Sequence, residues 1–333
     1  MKKNIRIVLF IVLCTSTLPR SYAEGKSSAA FHIWVEPLCG VRWGSLGEYV
    51  YAPDYTGSYV KLSYLQWEEK PVWYYGGKIG ASLKNITLTG YATGTVPAAC
   101  GSMKDSDWQN YYYGDTSTKT NYSISDNELV SGIQAGGVLS YSFHPSMNLS
   151  VSPVVSFDFD YTSMSAANGT GWYGNEQGSG YAAWDSTNRT IYDFTGETVC
   201  SYRRYTYTGW LGCKASYTFS NRWQFGLSGS VSPYMYMYSF DHHFLNTETG
   251  DGTYYMDIMS GWFSGIKGEI HTQFTVTPWC FFLFSVSGTA CGPIYGKDYY
   301  SYTNDGSWTL VQDCKAAADA VYCQAAASIK MVW

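Results

Sequence analysis

The sequence predicts an all-β protein, a ten-stranded antiparallel transmembrane β-barrel with long extracellular loops. Three observations predict it. Apolar and polar residues alternate over segments far longer than the ~5–6 residues of an ordinary globular strand. After the N-terminal segment, no apolar stretch reaches the ~18 residues that a membrane helix needs. The composition combines 32 Tyr, 13 Trp and 34 Gly with only 14% charged residues, against about 25% in a soluble domain. Few charges and many aromatic residues suit a barrel with aromatic girdles.

The chain begins with Lys2, Lys3 and Arg6, followed by an apolar run from Ile7 to Cys14. Ser21-Tyr22-Ala23 then forms a small-x-small cleavage site before Glu24. Residues 1–23 are therefore expected to be a secretory signal peptide, and residues 24–333 a single barrel domain. The leader holds four of the 21 basic residues and no acidic ones, so the mature chain carries 17 basic against 26 acidic residues, a net charge of −9. That balance argues against nucleic acid as a partner, which needs a basic face. Eight of the nine cysteines remain after cleavage. An even number in an exported chain permits disulfides, with about 105 connectivities for four pairs. Isolated small residues in the core or on the lipid face are the other reading.

The clearest strand lies between Thr253 and Thr277. Met256, Ile258, Trp262, Ile266, Ile270, Phe274 and Val276 share one parity, and Asp257, Lys267, Glu269, His271 and Gln273 the other. Successive side chains point to opposite faces, so one face suits lipid and the other a polar lumen. Ile86, Leu88, Ala92 and Val96 alternate with threonines and Tyr91 in the same way. Ile329, Met331 and Trp333 place an aromatic residue last on an outward face, as in the C-terminal assembly signal of bacterial outer-membrane barrels. Strands are expected near 30–52, 59–83, 86–100, 126–143, 149–163, 198–219, 223–241, 253–276, 279–296 and 313–333. Tight turns at 84–85, 144–148, 220–222 and 277–278 alternate with long polar loops at 97–125, 163–197 and 297–312. Short turns on one rim and long loops on the other characterise this barrel class. An even strand count puts both termini on the short-turn rim.

Two polar pairs fall on the long-loop rim. Asp105 and Asp107 follow the third strand, and Asp241 and His243 follow the seventh. Residues i and i+2 of an extended chain point the same way, so each pair converges. Strands three and seven stand on opposite walls of a ten-stranded barrel, so the pairs are placed to face each other across its mouth. Asp-x-Asp alone is a weak signal: Asp158 and Asp160 share the spacing, and the plain reading of either pair is a solvated loop. His242-His243 beside carboxylates would suit a metal, yet no other His or Cys has recognisable ligand spacing, and no metal is expected.

Asp241 also poses a register problem. From Trp223 to Val231 the odd positions are apolar and the even ones polar. Continued unchanged, that parity aims Asp241 at lipid. A bulge near Pro233 reverses it, leaving Tyr234, Tyr236, Tyr238 and Phe240 outward and Met235, Met237, Ser239, Asp241 and His243 inward.

Met103-x-Asp105-x-Asp107-Trp108 and Asp241-x-His243 resemble the two catalytic motifs of the omptin family of outer-membrane proteases. Leu65-Gln66-Trp67 on the second strand, the Val276-Thr277-Pro278 turn and the ten-strand spacing agree in order, so the resemblance covers essentially the whole mature chain. It implies an endopeptidase at the extracellular mouth of a bacterial outer-membrane barrel, cleaving peptides or proteins with an activated water. His243 would be the general base, Asp241 would orient it, and Asp105 and Asp107 would hold the water from the facing wall. Glu48 and Met103 would contact substrate. Glu48 matches an acid of the family's pocket for Arg or Lys at P1. Its partner acid, two residues before Asp241, is replaced by Ser239, so a basic P1 preference rests on Glu48. The resemblance further implies no cofactor beyond a lipopolysaccharide or related lipid, held on the outer wall by basic residues. Here Asp158 and Asp160 are expected on that wall instead, with Arg203 or Arg204 as candidate contributors. Cys314 with Cys323 is a candidate disulfide. Two further readings stand beside the enzyme: a catalytically inactive barrel acting as a surface adhesin, and a small porin, which the narrow lumen of ten strands disfavours.

Overall fold

The computed structural model describes residues 31–245, 252–303 and 306–333; the expected signal peptide lies outside them. Ten long antiparallel strands close into one ring. They are β1 (Phe31–Pro53), β2 (Tyr59–Leu83), β3 (Ile86–Thr95 continuing as Ala98–Asp107), β4 (Asn121–Tyr141), β5 (Leu149–Gly174), β6 (Thr198–Thr218), β7 (Trp223–His243), β8 (Thr253–Thr277), β9 (Cys280–Ser301) and β10 (Lys315–Val332). Each pairs with its neighbour in sequence, and β10 returns to β1. The termini meet on the short-turn rim, where Ile33 and Trp333 exchange backbone hydrogen bonds of 3.1 and 2.9 Å.

Several strands outrun their expected ends. β3 reaches residue 107, β4 starts at 121, β5 continues to 174 and β9 to 301. Much of what reads as loop is thus paired strand rising above the lipid zone. Gly, Ser, Asn and Asp lower strand propensity, but cross-strand partners on both sides override it there.

The outer wall nearest the short turns is apolar, with Ile79, Leu88, Leu139, Leu227, Ile270 and Phe284 all exposed. At a rise of about 3.3 Å per residue and a tilt near 40°, ten residues cross a belt ~25 Å tall. Positions about twenty residues from the short turns, such as 105 and 241, therefore stand well above it. Tyr205, Tyr207, Tyr236 and Tyr238 stack on one another between the two zones.

The lumen is polar and charged. Arg42 pairs with the fully buried Glu69 and lies 3.6 Å from Asp160. Lys267 pairs with Asp158 at 2.7 Å and Lys78 with Glu36 at 3.1 Å. Asp158 and Asp160 therefore face inward and not the outer wall, because even positions of β5 alternate into the lumen. Arg204 is likewise buried inside, donating to the Asp319 carbonyl, while Arg203 points out over Phe240. Above the ion pairs, Leu46, Leu65, Trp67, Met103, Leu129, Met164 and Tyr202 fill the barrel from wall to wall. Trp67 and Tyr202 stack 5.3 Å apart at 11°. This layer closes the lumen, which removes the porin reading.

The bulge near Pro233 is present. The β6–β7 register shifts between Gly209 and Leu211, opposite Tyr234 and Val231, and the β7–β8 register shifts between Ser232 and Tyr234. Ser232 is buried below the shift and Met235, Met237, Ser239 and Asp241 above it, so the inward parity changes from even to odd. Similar irregularities fall beside Pro71 in β2 and Pro293 in β9, and β3 breaks at Pro97.

All eight cysteines of the described residues are free thiols. Cys314 immediately precedes β10 and Cys323 lies nine residues along it, roughly 30 Å of extended chain. A disulfide tolerates Cα separations of only about 7 Å, so that candidate pair is ruled out.

Replacing Arg42 alone by Met leaves Glu69 buried without its partner. The folded barrel is expected to lose roughly 3–5 kcal/mol, read as the unfolding midpoint in urea. A loss within about 0.5 kcal/mol would contradict a closed ionic layer.

Candidate active site

The layer of Trp67, Met103 and Tyr202 forms the floor of a cleft at the long-loop rim. Asp105 and Asp107 rise from this floor within β3, and Asp241 and His243 within β7. Both pairs thus sit on paired strands and not on loops. Leu65 and Ser63 of β2 flank the first pair, with Ser123 and Asn121 of β4 on its other side. Tyr202 and Cys200 of β6 flank the second, opposite Tyr255 and Thr253 of β8.

His243 Nε2 contacts Asp241 Oδ2 at 2.5 Å. Burial disfavours the imidazolium, but the charge and hydrogen bond of Asp241 and the charges of Asp105 and Asp107 outweigh it and lift the imidazole to about 9. Burial and the charge of Asp107 raise Asp105 well above the usual carboxylate range, against the pull of His243. Burial also raises Asp107, although hydrogen bonds from Ser63 and Asn121 oppose it. Asp105 Oδ1 is buried without a hydrogen-bond partner. The imidazole and the carboxyl pair thus act on one another by charge, and one carboxyl oxygen has no hydrogen-bond partner.

Alternation separates the two histidines. His242 points away from His243 and stacks on Tyr254, with ring centroids 3.9 Å apart.

Sequence reasoning missed three contributors. The first is Cys200, a fully buried thiol that donates to Asp241 Oδ1 while His243 holds Oδ2. Burial and the Asp241 charge raise this thiol, keeping its proton in place. Cys200, Asp241 and His243 offer donor atoms within 4.8 Å of one another. A soft divalent ion could use this set, yet the hydrogen bonds among the three already account for their approach. Only register links Cys200 to His243, so a pattern within one strand could not reveal it.

The other two are Asp257 and Asp298. Ser239 of β7 pairs with Asp257 of β8, which pairs with Asp298 of β9. Ser239 Oγ donates to Asp257 Oδ2 at 3.4 Å. Glu48 of β1 completes the group. Burial and the charges of Asp241 and Asp257 push Glu48 well above its ordinary value. Burial and Asp298 do the same to Asp257. Asp298 rises to about 7, chiefly through burial, with Asp257's hydrogen bond opposing. Glu48 Oε2 and Asp298 Oδ1 are buried without partners. The acid that Ser239 lacks is thus supplied by the next two strands. The alternation of β8 already put Asp257 inside, whereas Asp298 lay in a segment expected to be loop. Met103, at 1% exposure, is part of the floor.

The omptin family model matches residues 32–323. The chain belongs to the omptin family. Omptins are outer-membrane proteases, and a solved structure agrees in fold. The outer membrane protease OmpT of Escherichia coli superposes with a TM-score of 0.79 at 16% identity, over 91% of this chain and 98% of that one. The toluene transporter TbuX of Ralstonia pickettii reaches a TM-score of only 0.33 at 5% identity, covering 89% of each chain. The transport unit of the E. coli autotransporter AIDA-I reaches 0.32 at 10% identity, covering 98% of each. No curated protein sequence matches this omptin.

The His243 imidazole is expected to titrate near 9, followed by NMR of histidine-labelled protein in micelles. Asp241→Asn removes the closest charge and is expected to lower the midpoint by roughly one unit or more. An unchanged midpoint in that variant would show that the pairing is not what holds the proton.

Proposed function

We propose that this omptin is an endopeptidase whose nucleophile is a water held between His243–Asp241 and Asp105–Asp107. What supports the reading is that both pairs stand on paired strands above the lipid zone and that each pair's charge acts on the other. Water between the pairs gives its proton to the neutral imidazole as it attacks the scissile carbonyl. Asp241 stabilises the imidazolium that forms, and Cys200 keeps Asp241 in place. Proton transfer to a positioned base of this kind contributes typically 10²–10⁴-fold. The raised facing carboxyls share a proton that the carbonyl oxygen accepts as negative charge develops on it. No serine or cysteine nucleophile is needed. The mouth faces the outside of the cell, and peptides or proteins are the substrates. Outer-membrane lipid surrounds the wall. Arg203 with the neighbouring tyrosines is the place where a lipopolysaccharide headgroup would rest, whether or not activity requires it.

The P1 side chain is basic. Glu48, Asp257 and Asp298 form a buried acidic pocket with two unsatisfied carboxyl oxygens. An Arg or Lys entering it supplies donors to both, and charge-assisted hydrogen bonds are the strong ones.

Hydrolysis of a dibasic fluorogenic peptide by refolded protein, with and without lipopolysaccharide, tests the reading. Asp105→Ala and His243→Ala are each expected to lower kcat/KM by on the order of 10²–10⁴-fold. No turnover by the wild type in either condition would favour the inactive adhesin, and equal activity in the three proteins would overturn the site. Because the imidazole is held near 9, neutral base grows about tenfold per pH unit below that value. The wild-type rate is therefore expected to rise through neutral pH and level off near 9. A plateau already reached at pH 6 would exclude His243 as the base. Asp257→Asn with Asp298→Asn is expected to reduce the preference for Arg over Gln at P1 by on the order of tenfold. An unchanged P1 profile would remove these two acids from the pocket.

A further inference from the structure

The Asp241–His243 pair meets a third donor on the neighbouring strand. Cys200 of β6 pairs with His243 of β7, and the register between the two strands runs unbroken from there to Gly209 and Tyr234. Asp241, two residues before His243, points to the same face. One regular stretch of sheet thus brings a thiol, a carboxylate and an imidazole together. Cys200 Sγ lies 2.6 Å from Asp241 Oδ1, and His243 Nε2 lies 2.5 Å from Asp241 Oδ2. One donor atom from each residue lies within 4.8 Å of the other two. Among the described residues, no other three His, Cys or acidic side chains are drawn so close.

The hydrogen bonds explain why the three meet in the free protein, and they also hold the three as a ligand set. A serine hydroxyl would donate to Asp241 as the thiol does. Sulfur adds a soft thiolate, the ligand that selects zinc-like ions. Tetrahedral zinc sits about 2.3 Å from sulfur and about 2.0–2.2 Å from nitrogen or oxygen, so its ligand atoms are roughly 3.3–3.6 Å apart. Each pair here reaches that spacing by moving about 1 Å. Cys200 and Asp241 are buried, while His243 keeps 31% of its side chain exposed, which leaves an entry path and a fourth position for water.

We propose that Cys200, Asp241 and His243 bind a soft divalent cation of the zinc class, and that this ion reversibly switches the protease off. The switch rests on the endopeptidase reading; the site does not. On binding, the thiol loses its proton to water and coordinates as the thiolate. A neutral imidazole bound through Nε2 keeps its hydrogen on Nδ1, so no lone pair is left to take a proton from the attacking water. The Asp241 charge turns to the metal in place of the imidazole. Removing the ion restores the hydrogen-bonded pair.

Chelator-treated protein in micelles, titrated with Co²⁺ as a coloured substitute for zinc, tests the site. The wild type is expected to show a sulfur-to-cobalt charge-transfer band that saturates at one ion per chain and disappears when Zn²⁺ is added. Cys200→Ser is expected to lose the band, although the other described cysteines remain. His243→Ala is expected to weaken cobalt binding by at least about tenfold, since even the partners of ligands are worth about 10–100-fold. No band in the wild type, or the same band in Cys200→Ser, overturns the site. Should Cys200→Ser fail to fold, His243→Ala decides, and an unchanged cobalt affinity overturns the site. Zn²⁺ is also expected to inhibit cleavage of the dibasic peptide, with recovery on adding chelator, and Cys200→Ser is expected to need at least about tenfold more zinc. Equal inhibition of both proteins, or full activity at zinc levels that displace cobalt, overturns the switch. If no peptide is cut, the endopeptidase reading fails by itself, and the cobalt band still decides the site.

Discussion

Every part of the mouth depends on strict alternation of side chains along a strand, and on the places where that alternation is reset. A one-residue shift in a strand moves all later side chains to the other face. Below Pro233 the odd residues of β7 face lipid; above it they face the cleft. Without the reset, Asp241 and His243 would lie on the outer wall beside Tyr205 and Tyr238. Proline suits the position because it gives no N–H to the ladder, and an irregular rung leaves that donor unneeded. Breaks beside Pro71, Pro97 and Pro293 lie near the same level, where a regular lipid-facing barrel passes into the part that carries the site.

That transition also explains the charge layout. Within the lipid zone inward charges meet opposite ones, as in Arg42–Glu69, Lys267–Asp158 and Lys78–Glu36. Above the closed layer of Trp67, Met103 and Tyr202 acids crowd together. Glu48, Asp257 and Asp298 gather there on β1, β8 and β9, with no ion-pair partner among the described residues. Such crowding of like charge destabilises the free protein through repulsion and desolvation. Cys200 belongs to the same economy of charge: a neutral donor satisfies the second oxygen of Asp241 without cancelling the charge that His243 needs.

The barrel, its ten strands and its two unlike rims were legible because alternation is a local signal, strongest where lipid demands an unbroken apolar face. The reset at Pro233 was legible too, since polar and apolar residues exchange parity there. Asp105, Asp107, Asp241 and His243 could be placed on facing walls from strand order alone. What the sequence did not show depended on register between strands. Asp298 sits opposite Asp257 only because β9 extends to residue 301. Asp158 and Asp160 face the lumen because the even residues of β5 point inward from Ser152 to Ala166. Met103, two residues before Asp105, points the same way but lies low enough to be packed into the floor itself.

The account stands most directly on the change of face within β7. Spin labels placed singly at each position from Leu227 to His243, in protein reconstituted in bilayers, report contact with lipid-soluble oxygen against a water-soluble nickel chelate. Oxygen contact is predicted at odd positions up to Val231 and at even positions from Tyr234 onward, with Asp241 and His243 on the chelate-accessible side. A single unbroken period of two across Pro233 would put the Asp241–His243 pair on the outer wall and contradict the account.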